Sequence, residues 1–169
     1  FIACATKNTT PRIWEVETGK LIHQLKGHQK PVISIAYSND GKHIYTSGND
    51  ATIFVWDSFS GKKLTKVFGH EDNVSSISVS PEGKHFVTSS ADKTIRLWNT
   101  ENGLEFSDSN GRHKEIMYAF DLSDDGKILA AGGPDSTLSI WNAKTGELII
   151  NYPVMDAILN AAAISPDNK

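Results

Sequence analysis

A chain of 169 residues, 38% hydrophobic and 22% charged, has enough apolar side chains to bury a core and too many to remain disordered. Its formal charge of −3 is spread unevenly but mildly, basic residues being in slight excess over 1–84 and acidic ones over 85–169, so no whole-domain electrostatic grip on nucleic acid or anionic lipid is expected. Cys4 is the single cysteine, which excludes an internal disulfide and a multi-thiolate metal site, and no apolar run reaches the roughly 20 residues of a membrane-spanning helix.

The elements read in chain order are short alternating strands divided by turn residues, and no stretch has a helical period. Residues 1–5 read as a strand that begins within a unit, so a leader sequence would lie outside this chain. The second unit follows with strands at 32–37, 44–47, 52–56 and 64–68, separated by Asn39-Asp40-Gly41-Lys42, Gly48-Asn49-Asp50 and Ser60-Gly61-Lys62. A third unit places strands at 74–79, 86–89 and 94–98, with a poorer one at 104–106. The fourth places them at 117–122, 128–131, 137–141 and 148–152, and residues 158–164 read as the first strand of another unit. The sequons Asn8-Thr9-Thr10 and Asn73-Val74-Ser75 are too short a pattern to imply glycosylation.

These units keep a strict beat. Trp14, Trp56, Trp98 and Trp141 are spaced by 42, 42 and 43 residues, and Gly41, Gly83 and Gly126, Asp50, Asp92 and Asp135, and His28, His70 and His113 keep the same phase. The one extra residue is Arg112, between Gly111 and His113. Four antiparallel strands in such a period cannot bury both faces of their sheet alone, so units must stack face to face around an axis. The expected fold is all-β, a β-propeller of four-stranded antiparallel blades. The units lie at about 1–26, 27–68, 69–110 and 111–153, with a partial one at 154–169, within one domain spanning 1–169.

At these residues the chain resembles the WD40 family. Gly27-His28 leads to Trp56-Asp57, Gly69-His70 to Trp98-Asn99, and Gly111-Arg112-His113 to Trp141-Asn142, with Ser-Pro-Glu-Gly and Ser-Asp-Asp-Gly turns between. Asn99, Asn142 and, in the first unit, Glu15 depart from the usual aspartate after the tryptophan. The resemblance covers nearly the whole chain and implies that the His, Thr, Asp and Trp of each blade form a structural hydrogen-bond network. By position the sets are His28, Thr46, Asp50 and Trp56, then His70, Thr88, Asp92 and Trp98, and finally His113, Asp135 and Trp141. Chemistry supports the same reading against a hydrolase triad, since a buried indole N–H needs an acceptor, a hydroxyl supplies one while donating to an imidazole, and a carboxylate orients that imidazole. A catalytic site is needed once, whereas a packing solution is needed in every blade. Ala131 in the fourth unit, and Cys4 with Asn8 in the first, predict weaker or missing networks there.

Other candidates read as structural. His43 and His85, each two residues after a turn glycine, are expected to be solvated strand-start residues on separate spokes, not a metal pair, and His23 stands alone. Lys62, Lys63 and Lys66 are expected to guard an outer edge strand. No phosphate loop, dinucleotide fingerprint or nucleophile elbow is present, and neither cofactor nor metal is expected.

About four blades' worth of strands is present, and WD40 propellers usually close with about seven, so the chain is expected to be part of a larger ring. The alternatives are two copies pairing through their open blade faces, or a compact four-blade closure. The resemblance implies a non-catalytic scaffold for protein or peptide partners within a multi-subunit complex, intracellular, cytoplasmic or nuclear, and not in direct contact with nucleic acid. Its binding face would use residues before each turn aspartate (Asn49, Ala91, Pro134) and those entering the first strands (Lys30, Pro31, Asp72, Asn73, Glu115). The alternative is a regulatory or substrate-positioning propeller domain of a larger multidomain enzyme.

Overall fold

The computed structural model describes residues 1–103, 117, 119–154, 158–165 and 167. Among these every regular element is a strand. β1 (Ile2–Cys4), β2 (Arg12–Trp14) and β3 (Leu21–Gln24) make a first sheet, and β4 (Val32–Tyr37), β5 (His43–Gly48), β6 (Ile53–Asp57) and β7 (Lys63–Val67) make a second. β8 (Val74–Val79), β9 (His85–Ser90) and β10 (Ile95–Asn99) form the third. β11 (Ala119–Leu122), β12 (Ile128–Gly132), β13 (Thr137–Asn142) and β14 (Leu148–Pro153) form the fourth. All pairings are antiparallel between consecutive strands, the pattern that short hairpin turns impose. The outer strand expected at 104–106 lies outside the described residues.

Sequence chemistry fixes each turn. At the β4–β5 turn the Ser38 hydroxyl donates to Asp40 Oδ1 at 2.6 Å and accepts from the His43 amide at 2.9 Å, while Gly41 adopts φ 69°. Ser123, Asp125 and Ile128 reproduce the arrangement between β11 and β12. A register shift interrupts the ladder just before Trp14, Trp56 and Trp141, so the same bulge recurs at the same place in three blades. Ala51, Lys93 and Ser136, each following a turn aspartate, all adopt positive φ (55°, 68° and 57°).

Period-two alternation gives each sheet two apolar faces, and the sheets stack with a fixed polarity. Ile44, Phe54 and Trp56 of the second sheet pack on Ile13 and Leu25. Its opposite face, with Tyr45 and Val55, receives Phe86 and Trp98 of the third sheet. Val87, Ile95 and Leu97 on the far side of the third sheet receive Leu129, Ala131 and Trp141 of the fourth. Trp56 and Trp98 are each 1% exposed. The inner strands β4 and β8 run side by side, as spokes around an axis require.

One expected strand is absent. Residues 158–164 join no ladder. The Leu159 amide donates instead to the Gly133 carbonyl at 3.1 Å, and the Ile164 amide to Asp121 Oδ2 at 2.7 Å. Leu159 lies against Gly132, and the segment shields Ile128, Ala130, Leu138 and Ile140 on the outward face of the fourth sheet.

Candidate functional site

The second sheet brings His28, Thr46, Asp50 and Trp56 into one chain of hydrogen bonds. Trp56 Nε1 donates to Thr46 Oγ1 at 2.9 Å, Thr46 Oγ1 lies 2.8 Å from His28 Nε2, and His28 Nδ1 lies 3.0 Å from both carboxylate oxygens of Asp50. The hydroxyl has one proton, so it accepts from the indole and donates to Nε2, and the imidazole then presents Nδ1–H to the carboxylate. Burial pushes the His28 pKa down against the pull of Asp50, which agrees with this neutral tautomer. Burial alone would raise the Asp50 pKa, but donation by the Gln29 amide (2.8 Å), His28 and the Thr52 amide outweighs it and holds the carboxyl below its ordinary range. Phe54 closes the site with its ring edge-on to His28 at 4.7 Å between centroids.

The third sheet repeats the chain 42 residues on. Trp98 Nε1 donates to Thr88 Oγ1 at 2.7 Å, Thr88 Oγ1 is 2.7 Å from His70 Nε2, and His70 Nδ1 is 2.8 Å from Asp92 Oδ2. Thr94 adds a hydroxyl donating to Asp92 Oδ1 at 2.6 Å. Against the opposing effect of burial, donation from His70, Thr94 and the Glu71 amide depresses the Asp92 pKa. Thr46 and Thr88 are both 0% exposed, so neither hydroxyl meets solvent or substrate.

The other two units depart as their residues require. In the fourth, Ala131 is fully buried and offers no hydroxyl, while Asp135 accepts from the Thr137 amide and hydroxyl at 3.2 and 2.7 Å. Trp141 is 7% exposed, and His113 lies outside the described residues. In the first, Cys4 is half-buried and Asn8 takes the Thr6 hydroxyl and the Thr10 amide, capping a local turn.

The candidate partner-binding residues gather where β5 meets the start of β4 and β9 the start of β8. The Asn49 amide donates to the Pro31 carbonyl at 2.9 Å and the Ala91 amide to the Asn73 carbonyl at 2.8 Å, while Ser90 Oγ donates to the Asp72 carbonyl at 3.0 Å. Lys30 and Asp72 are exposed and Pro31, Asn49, Asn73, Ala91 and Pro134 half-buried; Glu115 lies outside the described residues. Gly48 is required at this edge, because a Cβ there would stand 2.5 Å from the Pro31 carbonyl.

His43 and His85 do not approach a metal-ligand cluster, and no group of three candidate metal ligands occurs among the described residues. The expectation that His85 is solvated needs correction, since it is partly buried and its Nδ1 lies 3.3 Å from the Glu82 carboxylate. Lys63 and Lys66 of β7 place their ammonium groups 4.8 and 5.5 Å from the Phe54 ring, and Lys66 lies 4.4 Å from Phe68.

Sequence reasoning missed His23. Its Nε2 donates to the Phe59 carbonyl at 2.7 Å and its ring lies 2.7 Å from where a Gly61 Cβ would stand, joining the first sheet's outer strand to the second sheet's outer turn. No other unit has a histidine in this phase, so periodicity held no signal for it.

Similarity to known proteins agrees with this geometry. The chain is 49% identical over 43 residues to F-box-like/WD repeat-containing protein TBL1X of Mus musculus, covering 25% of this chain and 8% of that protein. It is 44% identical over 39 residues to Autophagy-related protein 16 of Arabidopsis thaliana (23% and 8%), and 32% identical over 54 residues to the pre-rRNA-processing protein crb3/ipi3 of Schizosaccharomyces pombe (32% and 12%). The matched segments are thus a small part of these relatives. Among solved structures, the computationally designed Ika8 protein superposes with a TM-score of 0.87 at 24% identity, over 96% of this chain and 49% of that one, which establishes the fold alone. The WD domain, G-beta repeat family matches residues 19–57, 61–99 and 107–142, the stretches that end on Asp57, Asn99 and Asn142, and this chain belongs to the WD40-repeat family.

Proposed function

We propose that this chain is a non-catalytic interaction scaffold that offers its loop edge to protein or peptide partners in a larger assembly. The observation that supports it most is the fate of the groups that resemble a triad. In both complete copies the hydroxyl is fully buried, accepts from a tryptophan and commits its one proton to a histidine, so no substrate reaches the oxygen. The WD40 family commonly serves protein interaction, and the half-buried backbone edge at Pro31, Asn49, Asn73 and Ala91 is a rigid platform for exposed Lys30 and Asp72.

The test compares the wild-type chain with the Lys30→Glu/Asp72→Lys double variant by crosslinking in native extract, with thermal melting run in parallel. Loss of specific crosslinked partners at unchanged melting temperature is the expected result, and an unchanged partner set removes this edge from the proposal. Ester or peptide turnover that disappears in a folded Thr46→Val variant would overturn the non-catalytic reading.

A further inference from the structure

Among the described outer strands, that of the second sheet differs in kind from the others. β3 has no lysine and β14 no charged side chain, whereas β7 sets two lysines beside exposed apolar groups. It is also the last strand of its sheet, so alternate N–H and C=O groups along it point away from β6. No other strand or side chain takes up these groups among the described residues.

Two chemically different sides flank that open edge. On the side toward the first sheet, the Lys63 and Lys66 ammonium groups lie over the buried Phe54 ring, and Lys66 also covers Phe68, which is 67% exposed. Neither lysine has an ion-pair partner among the described residues. On the other side Leu64 is 48% exposed and borders the space between the second and third sheets with Val55 and Thr65. A lysine blunts an edge when its charge stands along it. Phe54 belongs to β6, the strand inside β7, so both ammonium groups lie inward of the edge and leave its main chain open.

We propose that β7 receives, as a fifth strand of the second sheet, an extended acidic segment of a partner protein in which carboxylates alternate with apolar side chains. Main-chain pairing continues the ladder beyond β7, carboxylates on one side of the added strand meet Lys63 and Lys66, and the side chains between them turn toward Leu64. The period of two in a strand is what sorts acidic and apolar groups to those two sides. Charge selects the occupant, because a second copy offering its own β7 would set lysine against lysine, and a basic segment would do the same. A nucleic-acid strand brings negative charge but no peptide backbone with which to extend the sheet.

This inference rests on the scaffold reading but uses a surface separate from Lys30 and Asp72, so the two fail independently. The probes are Ac-Glu-Val-Glu-Val-Glu-NH2, its lysine counterpart Ac-Lys-Val-Lys-Val-Lys-NH2, the acidic peptide N-methylated at every residue, and a thymidine octanucleotide. Each is titrated into the 15N-labelled chain at low salt, up to about 5 mM, and followed by amide shifts. The acidic peptide should give saturable shifts at Leu64, Lys66 and Phe68, and the lysine peptide should bind about tenfold more weakly. The N-methylated analogue keeps its side chains and charge but donates no main-chain hydrogen bond, so it should give no saturable shift there. Lys63→Gln/Lys66→Gln should weaken the acidic peptide about fivefold and flatten its salt dependence, whereas Lys63→Arg/Lys66→Arg should keep both, which separates charge from any change of packing on Phe54. No saturable shift with the acidic peptide, equal response to either charge, full binding of the N-methylated analogue, or equal saturable shifts from the octanucleotide overturns the proposal. Shifts confined to the Lys30–Asp72 edge overturn it as well, and leave the scaffold reading standing.

Discussion

Replacing Thr46 by valine removes one oxygen and keeps the branched shape, so it isolates the hydroxyl's contribution. Trp56 Nε1 and His28 Nε2 lose their partner at 2.9 and 2.8 Å, inside residues that are 1% and 4% exposed. Each of the two stranded buried groups costs about 1–3 kcal/mol, and the methyl that replaces the hydroxyl recovers only about 0.8 kcal/mol of apolar burial, which leaves a net loss of about 1–5 kcal/mol. Against a typical domain stability of about 5–15 kcal/mol that is a large fraction. Urea titration of the intact chain reads it directly: with m of about 2 kcal/mol/M, the midpoint should fall by about 0.5–2.5 M at unchanged m. The exposed Thr145→Val serves as the control and should shift the midpoint by less than about 0.3 M. A Thr46→Val midpoint within that same margin would mean that the indole and imidazole are satisfied elsewhere, and the hydrogen-bond chain would lose its claim to hold the blade.

Acid should weaken the fold in two stages. His28 has a folded pKa below its unfolded value, so the stability it supports is present above about pH 6.5 and declines as pH falls below that; Asp50 and Asp92 are depressed likewise, and their contribution is present above about pH 4 and lost below it. Melting temperatures at pH 7.5, 5.5 and 3.5 should fall in that order, and a maximum at pH 5.5 would contradict the neutral-imidazole assignment. Gly61→Ala should cost more than Gly83→Ala, because both adopt positive φ (67° and 70°) but only Gly61 faces the His23 ring; adding His23→Ala should bring the two together in a double-mutant cycle read by urea titration. Ala51→Gly should stabilise by about 0.5–1 kcal/mol, since alanine at φ 55° is strained where glycine is not; a lower melting temperature would show that the turn holds Ala51 for its contacts.

The blade plan was legible because it is periodic. A tryptophan that recurs every 42 or 43 residues faces the same sheet position each time, so Thr46 and Thr88 followed from Trp56 and Trp98 by offset alone, and Ala131 and Cys4 marked the units that lack the hydroxyl. Interactions made once leave no such trace, which is why His23 on Phe59 was invisible until the sheets were placed side by side. The segment 158–164 misled for another reason. Its alternation resembles an inner strand, but a strand forms only against a partner edge, and its amides found the Gly133 carbonyl and the Asp121 carboxylate first. Charge rows behave similarly: Lys63 and Lys66 look like edge protection in the sequence, and only the folded sheet brings Phe54 beneath them.

Because each sheet turns its tryptophan side toward the preceding blade and its Tyr45- or Val87-type side toward the following one, the contact surface is directional, like a plug and a socket. A sheet of this kind does not match its own mirror partner: tryptophan side against tryptophan side would bring two bulky surfaces together where one recess is needed. Lengthening such a chain by copying one unit in tandem therefore delivers a new blade whose plug already fits the last socket, with no interface to invent. Inverting a unit, or swapping in one of opposite polarity, would strand both surfaces at once. Directional contacts of this sort let the number of blades drift over evolutionary time while the orientation of every blade stays fixed.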